Sequence, residues 1–384
     1  MPSSTSSSET VGRRAGGAGG LFWAWGAAVL LASLALAGID VHWRKIGFEP
    51  EISDSKQLWS VQRDAVYGSD PLPVVFIGAS RSAYGMDIGQ WKSRFPGTHP
   101  VMLSVNGHHP MALLRDLAVD PAFRGLVICD VNVEGLTRKY RDMQQPWVSY
   151  YHEQWTPNWR IHRYLLGFWQ ETSVLGDPNL GWKPSLQRWL DGVKPTLPVA
   201  KIEENRSGYI RFDRIPDLAS YGQWFEKDAV KKMEAPILSP EDFLAGVSDV
   251  VDWVHAIQSR GGQVVFFQPP VAGKLLDLEF AYYNREQYWD VFAKLPGVHA
   301  ISGMDLSVLR EVELPDLSHV GPSDRATMTQ ALEDELLRMG LMDHSGRLIQ
   351  ESALELQGQG VAPDQPFHLP KPVREGDVAP GRIQ

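Results

Sequence analysis

Four short stretches of this chain carry residue types able to act together on an ester carbonyl. "VVFIGASRSAYG" (74–85) runs from an apolar segment into Gly78-Ala79-Ser80-Arg81. Asn106-Gly107-His108-His109 and Asp130-Val131-Asn132 each follow another apolar run, and "LPDLSHVGPS" (314–323) holds Asp316 and His319 three residues apart. A serine hydroxyl becomes a nucleophile when an imidazole takes its proton, and a carboxylate must orient that imidazole. The reaction also needs N–H donors aimed at the developing oxyanion. Ser80 would be the nucleophile, His319 the base and Asp316 its orienter, because Asp-x-x-His on a tight turn can bring carboxylate and ring to one side. The backbone N–H groups of Ser80 and Gly107 would meet the oxyanion, and glycine at 107 leaves its backbone open to close approach. Each piece alone has a plainer reading: a turn serine, an aspartate capping a turn, a surface histidine. Ser82 is a second candidate nucleophile, further from the strand end.

Two neighbours are candidates for substrate contact. Arg81 would hold a carboxylate or phosphate, or else face solvent from its turn. The His108-His109 pair has no third ligand at a metal-binding spacing, so a loop pair with His108 touching substrate is the expectation, with no metal.

These residues need elements to place them at one spot. Short Val/Ile-rich runs predict strands at about 73–78, 100–105, 125–131, 263–268 and 298–302, of the kind covered on both faces. Helices are expected between them at about 53–66, 86–95, 110–119, 240–260, 274–294 and 323–339, the fourth opened by Ser239-Pro240. Strands alternating with helices predict an α/β fold with a five-stranded doubly wound parallel sheet. In such sheets ligands bind beyond the carboxyl ends of the strands, where Ser80, Gly107 and Asn132 fall.

The order and spacing resemble the SGNH (GDSL-type) hydrolase superfamily over roughly residues 73–340. That resemblance implies a five-stranded doubly wound sheet, Ser after the first strand, Gly after the second, Asn after the third and a late Asp-x-x-His. Ser80, Gly107, Asp316 and His319 stand at those positions, and Asn132 takes the place of the family's asparagine as an oxyanion donor. "GASRS" departs from Gly-Asp-Ser but resembles the Gly-x-Ser-Arg form of anchored periplasmic members, and "CDVNVEG" stands where the family has Gly-x-Asn-Asp. The resemblance implies esterase or O-acyltransferase activity on acyl, foremost acetyl, esters of envelope or exported polysaccharide, without a cofactor. It also implies a membrane-bound O-acyltransferase as partner. A catalytically degenerate glycan-binding or assembly protein is the alternative. A flavodoxin-like nucleotide binder fits less well, since "GASRSAYG" is neither a Gly-x-Gly-x-x-Gly nor a P-loop cradle.

Composition narrows the class. The net charge of −9 over 384 residues and the lack of any basic run argue against a nucleic-acid partner. The single cysteine, Cys129, lies in the apolar run "LVICDV" and reads as an inert buried thiol. "LFWAWGAAVLLASLALAGI" (21–39) is uncharged, and as a helix it would rise about 28 Å, close to a bilayer's hydrocarbon thickness. It reads as an uncleaved signal anchor with Trp23, Trp25 and Trp43 at its ends, although Ala35-Leu36-Ala37-Gly38 would also suit a signal peptidase. Either way the catalytic body (53–342) is expected outside the cytoplasmic (inner) membrane, facing the periplasm or cell exterior. Residues 1–20 read as a disordered leader and 343–384 as a disordered tail. The interval of about 136–238 holds seven of the fourteen tryptophans and reads as a mainly helical insertion, packing its own core or lining a groove.

Overall fold

The structure, a computed structural model, describes residues 18–68 and 70–349. Its strands are β1 (Leu72–Ile77), β2 (Thr98–Met102), β3 (Leu126–Asp130), β4 (Ala200–Ile202), β5 (Gly208–Ile210), β6 (Gln263–Gln268) and β7 (His299–Ser302). Five form a parallel sheet in the order β2-β1-β3-β6-β7, and β4 and β5 form a separate antiparallel pair. Val75 of β1 lies opposite Val101 of β2 and Val127 of β3, so the register carries apolar rows across the sheet.

The helices before the inserted region are α1 (Ala18–Ile46), α2 (Lys56–Asp64), α3 (Ser80–Gly85), α4 (Ile88–Arg94) and α5 (Met111–Val119). The insertion contributes α6 (Gln145–Glu153), α7 (Pro157–Thr172), α8 (Trp182–Leu190) and α9 (Leu218–Met233). After it come α10 (Pro240–Gln258), α11 (Gly273–Tyr282), α12 (Trp289–Phe292), α13 (Ser307–Arg310) and α14 (Arg325–Arg338).

Alternation along the strands explains the two-sided core. Val75, Ile77, Val127 and Phe266 face one layer, with Trp59 of α2, Leu113 of α5 and Val250 of α10. Val74, Phe76, Ile128 and Phe267 face the other, with Trp91 of α4 and Leu332 of α14. Cys129 is fully buried in the first layer. Side-chain caps start several helices: Ser55 accepts from Leu58 N–H at 3.2 Å, and Asp87 accepts from Gly89 and Gln90 N–H at 2.9 and 3.1 Å.

Three expectations change. The helix foreseen over 274–294 is broken into α11 and α12, and the insertion includes the β4–β5 hairpin. Residues 343–349 are placed: Met342 pairs with Leu348 across a turn, and the compact unit ends at Leu348. The rest of the tail, 350–384, and residues 1–17 of the leader lie outside the described residues. α1 contains a segment, Gly20–Ile46, long and apolar enough to cross a membrane, with a mean hydropathy of 1.9 over its most apolar 18 residues. The Ala35–Gly38 segment lies inside this unbroken helix.

Candidate active site

The chain leaves β1 through Gly78 and turns at once into α3, whose first residue is Ser80. Gly78 is required there, because a Cβ would fall 2.6 Å from the Cβ of Asp130 at the end of β3. Asp130 in turn holds the turn together: its carboxylate accepts the Ser82 N–H at 2.8 Å and the Ala79 N–H. β1 and β3 are neighbours on either side of the point where strand order reverses, so Ser80 stands at the mouth of that crevice.

His319 Nε2 lies 2.8 Å from Ser80 Oγ, and His319 Nδ1 lies 2.8 Å from Asp316 Oδ2. The other carboxylate oxygen accepts the backbone N–H groups of Ser318 at 3.0 Å and His319 at 2.7 Å. Folding the loop back on its own aspartate requires Leu317 at φ 71°, a left-handed conformation that costs a bulky residue about 1–2 kcal/mol. The Ala272 N–H, donating to Leu317 O at 2.9 Å, ties this turn to the exit of β6. Asp316 is fully buried. Burial pushes its carboxyl up, but the hydrogen bond and charge of His319 and the two N–H donors outweigh it, leaving the group below its ordinary range. A serine hydroxyl, an imidazole and a carboxylate are thus joined in one hydrogen-bonded relay.

Gly107 lies on the wall of the same cavity at φ +73°. Nothing lies within 4 Å of a Cβ built there, so the left-handed backbone is what calls for glycine. Asn132 also lines the cavity; its Oδ1 accepts the Gly135 N–H at 3.0 Å, leaving the amide NH2 as the end able to donate. The Ser80 N–H opens α3 and has no carbonyl partner inside that helix. Gln144, fully buried, fixes both loops: its amide donates to Gly78 O at 2.9 Å and to His108 O at 3.0 Å.

Three assignments from sequence are corrected. Ser82 is fully buried with its N–H on Asp130, so its hydroxyl does not reach the cavity wall. Arg81 lines the cavity, but its guanidinium is held by Glu279 at 2.9 Å and by Ser318 Oγ at 3.1 Å, which makes it a brace for the Asp316–His319 turn. His108 turns its ring back to Asn106 O at 2.8 Å, and His109 is the histidine on the cavity wall. His109 packs against Tyr140 at 5.1 Å between ring centres. Burial, then the charges of Lys232 and Arg81, push its pKa down to about 3, so it is neutral at working pH. Among the described residues no cluster of three His, Cys, Asp or Glu side chains is placed to hold a metal ion.

The cavity has a volume of about 500 Å³. Its far wall is α9, where Tyr221, Trp224, Phe225, Asp228 and Lys232 fall on one helical face. Phe225 meets the His319 ring edge-on at 5.5 Å, and α9 passes beside the Asp316 backbone at Gly222. Of the seven insertion tryptophans only Trp224 reaches this cavity; Trp147 packs instead against the core beside Trp59 at 6.3 Å.

Sequence reasoning passed over Asp130, Gln144 and Glu279 as working residues. Asp130 has a visible signal, an acid closing a buried strand, and α9 has its periodic aromatic stripe. Nothing local marks Gln144 or Glu279, whose partners are 66 and 198 residues away. Comparison with protein-family models and with curated proteins finds no match to either.

Proposed function

We propose that this protein is a membrane-anchored serine esterase or O-acyltransferase of SGNH type, acting on acyl esters, foremost acetyl, of cell-envelope or exported polysaccharide. The observation that carries the reading is the unbroken Ser80–His319–Asp316 relay, with both links at 2.8 Å, opening into a cavity at the carboxyl ends of the strands. α1 supplies the single-pass anchor, with the catalytic body on the periplasmic or outer side of the cytoplasmic membrane. A membrane-bound O-acyltransferase would be its partner in supplying or receiving acyl groups.

Ser80 Oγ attacks the ester carbonyl carbon while its proton passes to His319 Nε2. The negative charge on the carbonyl oxygen is met by the N–H groups of Ser80 and Gly107 and by the Asn132 amide. The C–O bond to the leaving alcohol then breaks, and that oxygen takes the proton from His319. Water or a sugar hydroxyl next attacks the acyl-serine, losing its proton to His319, and the proton returns to Ser80 as the new acid or ester leaves. Asp316 holds the imidazole with Nδ1 protonated and balances the imidazolium charge. Aromatic faces on α9 suit the apolar faces of a sugar ring, and Asp228, Lys232 and Glu134 at the rim suit its hydroxyls.

Turnover of an aryl acetate and of an acetylated oligosaccharide, followed by acetate release and by transfer to an unacetylated oligosaccharide, tests this reading. The wild type is expected to turn over both, Ser80→Ala neither, and Asp316→Asn to lose about 10³–10⁴-fold in kcat while still folded. Folded wild type that binds the oligosaccharide as well as Ser80→Ala does, and turns over neither ester, would favour the degenerate binding protein.

A further inference from the structure

α7 exposes Ile161, Tyr164, Leu165, Phe168 and Trp169, at i, i+3, i+4, i+7 and i+8, while Arg163 and Gln170 on its opposite side are buried and hydrogen-bonded to each other at 2.9 Å. α8 exposes Trp182, Leu186, Trp189 and Leu190, at i, i+4, i+7 and i+8. Phe168, Trp182 and Trp189 are each at least 70% exposed. These stripes line neither the catalytic cavity nor the core.

Their place in the chain says what covers them. The apolar stretch of α1 ends at Ile39, and the next residue, Asp40, accepts from Ser173 Oγ at 2.7 Å and from Val174 N–H at 2.9 Å, in the link between α7 and α8. One turn on, the Arg44 guanidinium donates to Thr172 O at 2.8 Å. Trp43 and Phe48 complete the joint by packing with Val174, Leu180 and Leu197. A helix crossing hydrocarbon with residues 21–39 leaves Asp40–Ile46 at headgroup depth. The α7–α8 link is therefore fixed at that depth too. Trp, Tyr and Phe on an amphipathic helix are the residues that settle in this layer. Lys183 and Lys194 flank the second stripe with no carboxylate partner among the described residues, suited to lipid phosphates.

We propose that α7 and α8 lie with their apolar stripes in the interfacial layer of the bilayer that α1 crosses, so that phospholipid is the occupant of this surface. The inference rests on reading α1 as the membrane-spanning segment. It turns a single tether into a three-helix mounting that sets the orientation of the domain above the membrane.

The test uses the full chain reconstituted in phosphatidylcholine–phosphatidylglycerol vesicles carrying a phospholipid with a photoreactive diazirine, followed by peptide mapping. Adducts are expected in residues 161–169 and 182–193 as well as 21–39. A Phe168→Glu, Trp189→Glu double variant is expected to lose the adducts on both stripes and keep those on 21–39. Labelling of 21–39 with none on the stripes would overturn the inference and leave a protein partner as the occupant. Labelling of neither region, or of the stripes without 21–39, would overturn the anchor reading and the inference with it.

Discussion

Asp130 shows how one buried carboxyl orders the turn that carries Ser80. Burial drives its pKa up to about 7, against the pull of Arg81 and of the Ser82 and Ala79 N–H groups. Because the folded value lies above the ordinary 3.8, this group stabilises the fold below about pH 4, and its contribution is lost as pH rises towards 7. The span is worth at most about 4 kcal/mol, at roughly 1.4 kcal/mol per unit. Asp130→Asn keeps an acceptor for the turn and removes the titration. The thermal unfolding temperature is expected to fall between pH 4 and 7 in the wild type relative to Asp130→Asn, the difference levelling off above pH 7. An identical slope in the two proteins would remove Asp130 as the source. At this scale Ser80 could be placed because it follows a strand, and Asp316 and His319 because they stand three residues apart shortly before a helix. The side-chain directions of Arg81 and His108 could not be read, since Arg81 pairs with Glu279, 198 residues on, and the His108 ring turns back to Asn106 O.

Among the elements, the long apolar strands and the capped helices could be read from the chain. β6 and the start of α10 fall where the pattern places them, since Val/Ile runs and Ser239-Pro240 are local signals. α3 and the β4–β5 hairpin could not be read, because six-residue and three-residue elements are too short to show a period. α9 walls the cavity beside the Ser80–His319–Asp316 relay, and under the proposed function it is the element that would meet the glycan. Trp224 is 58% exposed on the cavity rim, so its ring is free to stack on a sugar. Trp224→Ala is expected to raise KM about three- to tenfold with kcat nearly kept, the worth of one aromatic face. An unchanged KM for oligosaccharide would place the glycan elsewhere.

For the whole molecule, the sheet, the insertion and α1 divide the work. The sheet brings the ends of β1 and β3 to the Asp316–His319 turn, the insertion walls the cavity, and hydrogen bonds at residues 172–174 join α1 to the insertion. The long apolar run of α1 was visible in the sequence, but the joint between α1 and the insertion spans more than 120 residues and leaves no local trace. The central claim is that Ser80 is an activated serine. Fluorophosphonate labelling of the folded full chain, with the modified peptide mapped, tests it most directly. An adduct on Ser80 that is lost in His319→Ala is expected. No adduct on folded protein, or one that persists unchanged in His319→Ala, would contradict it.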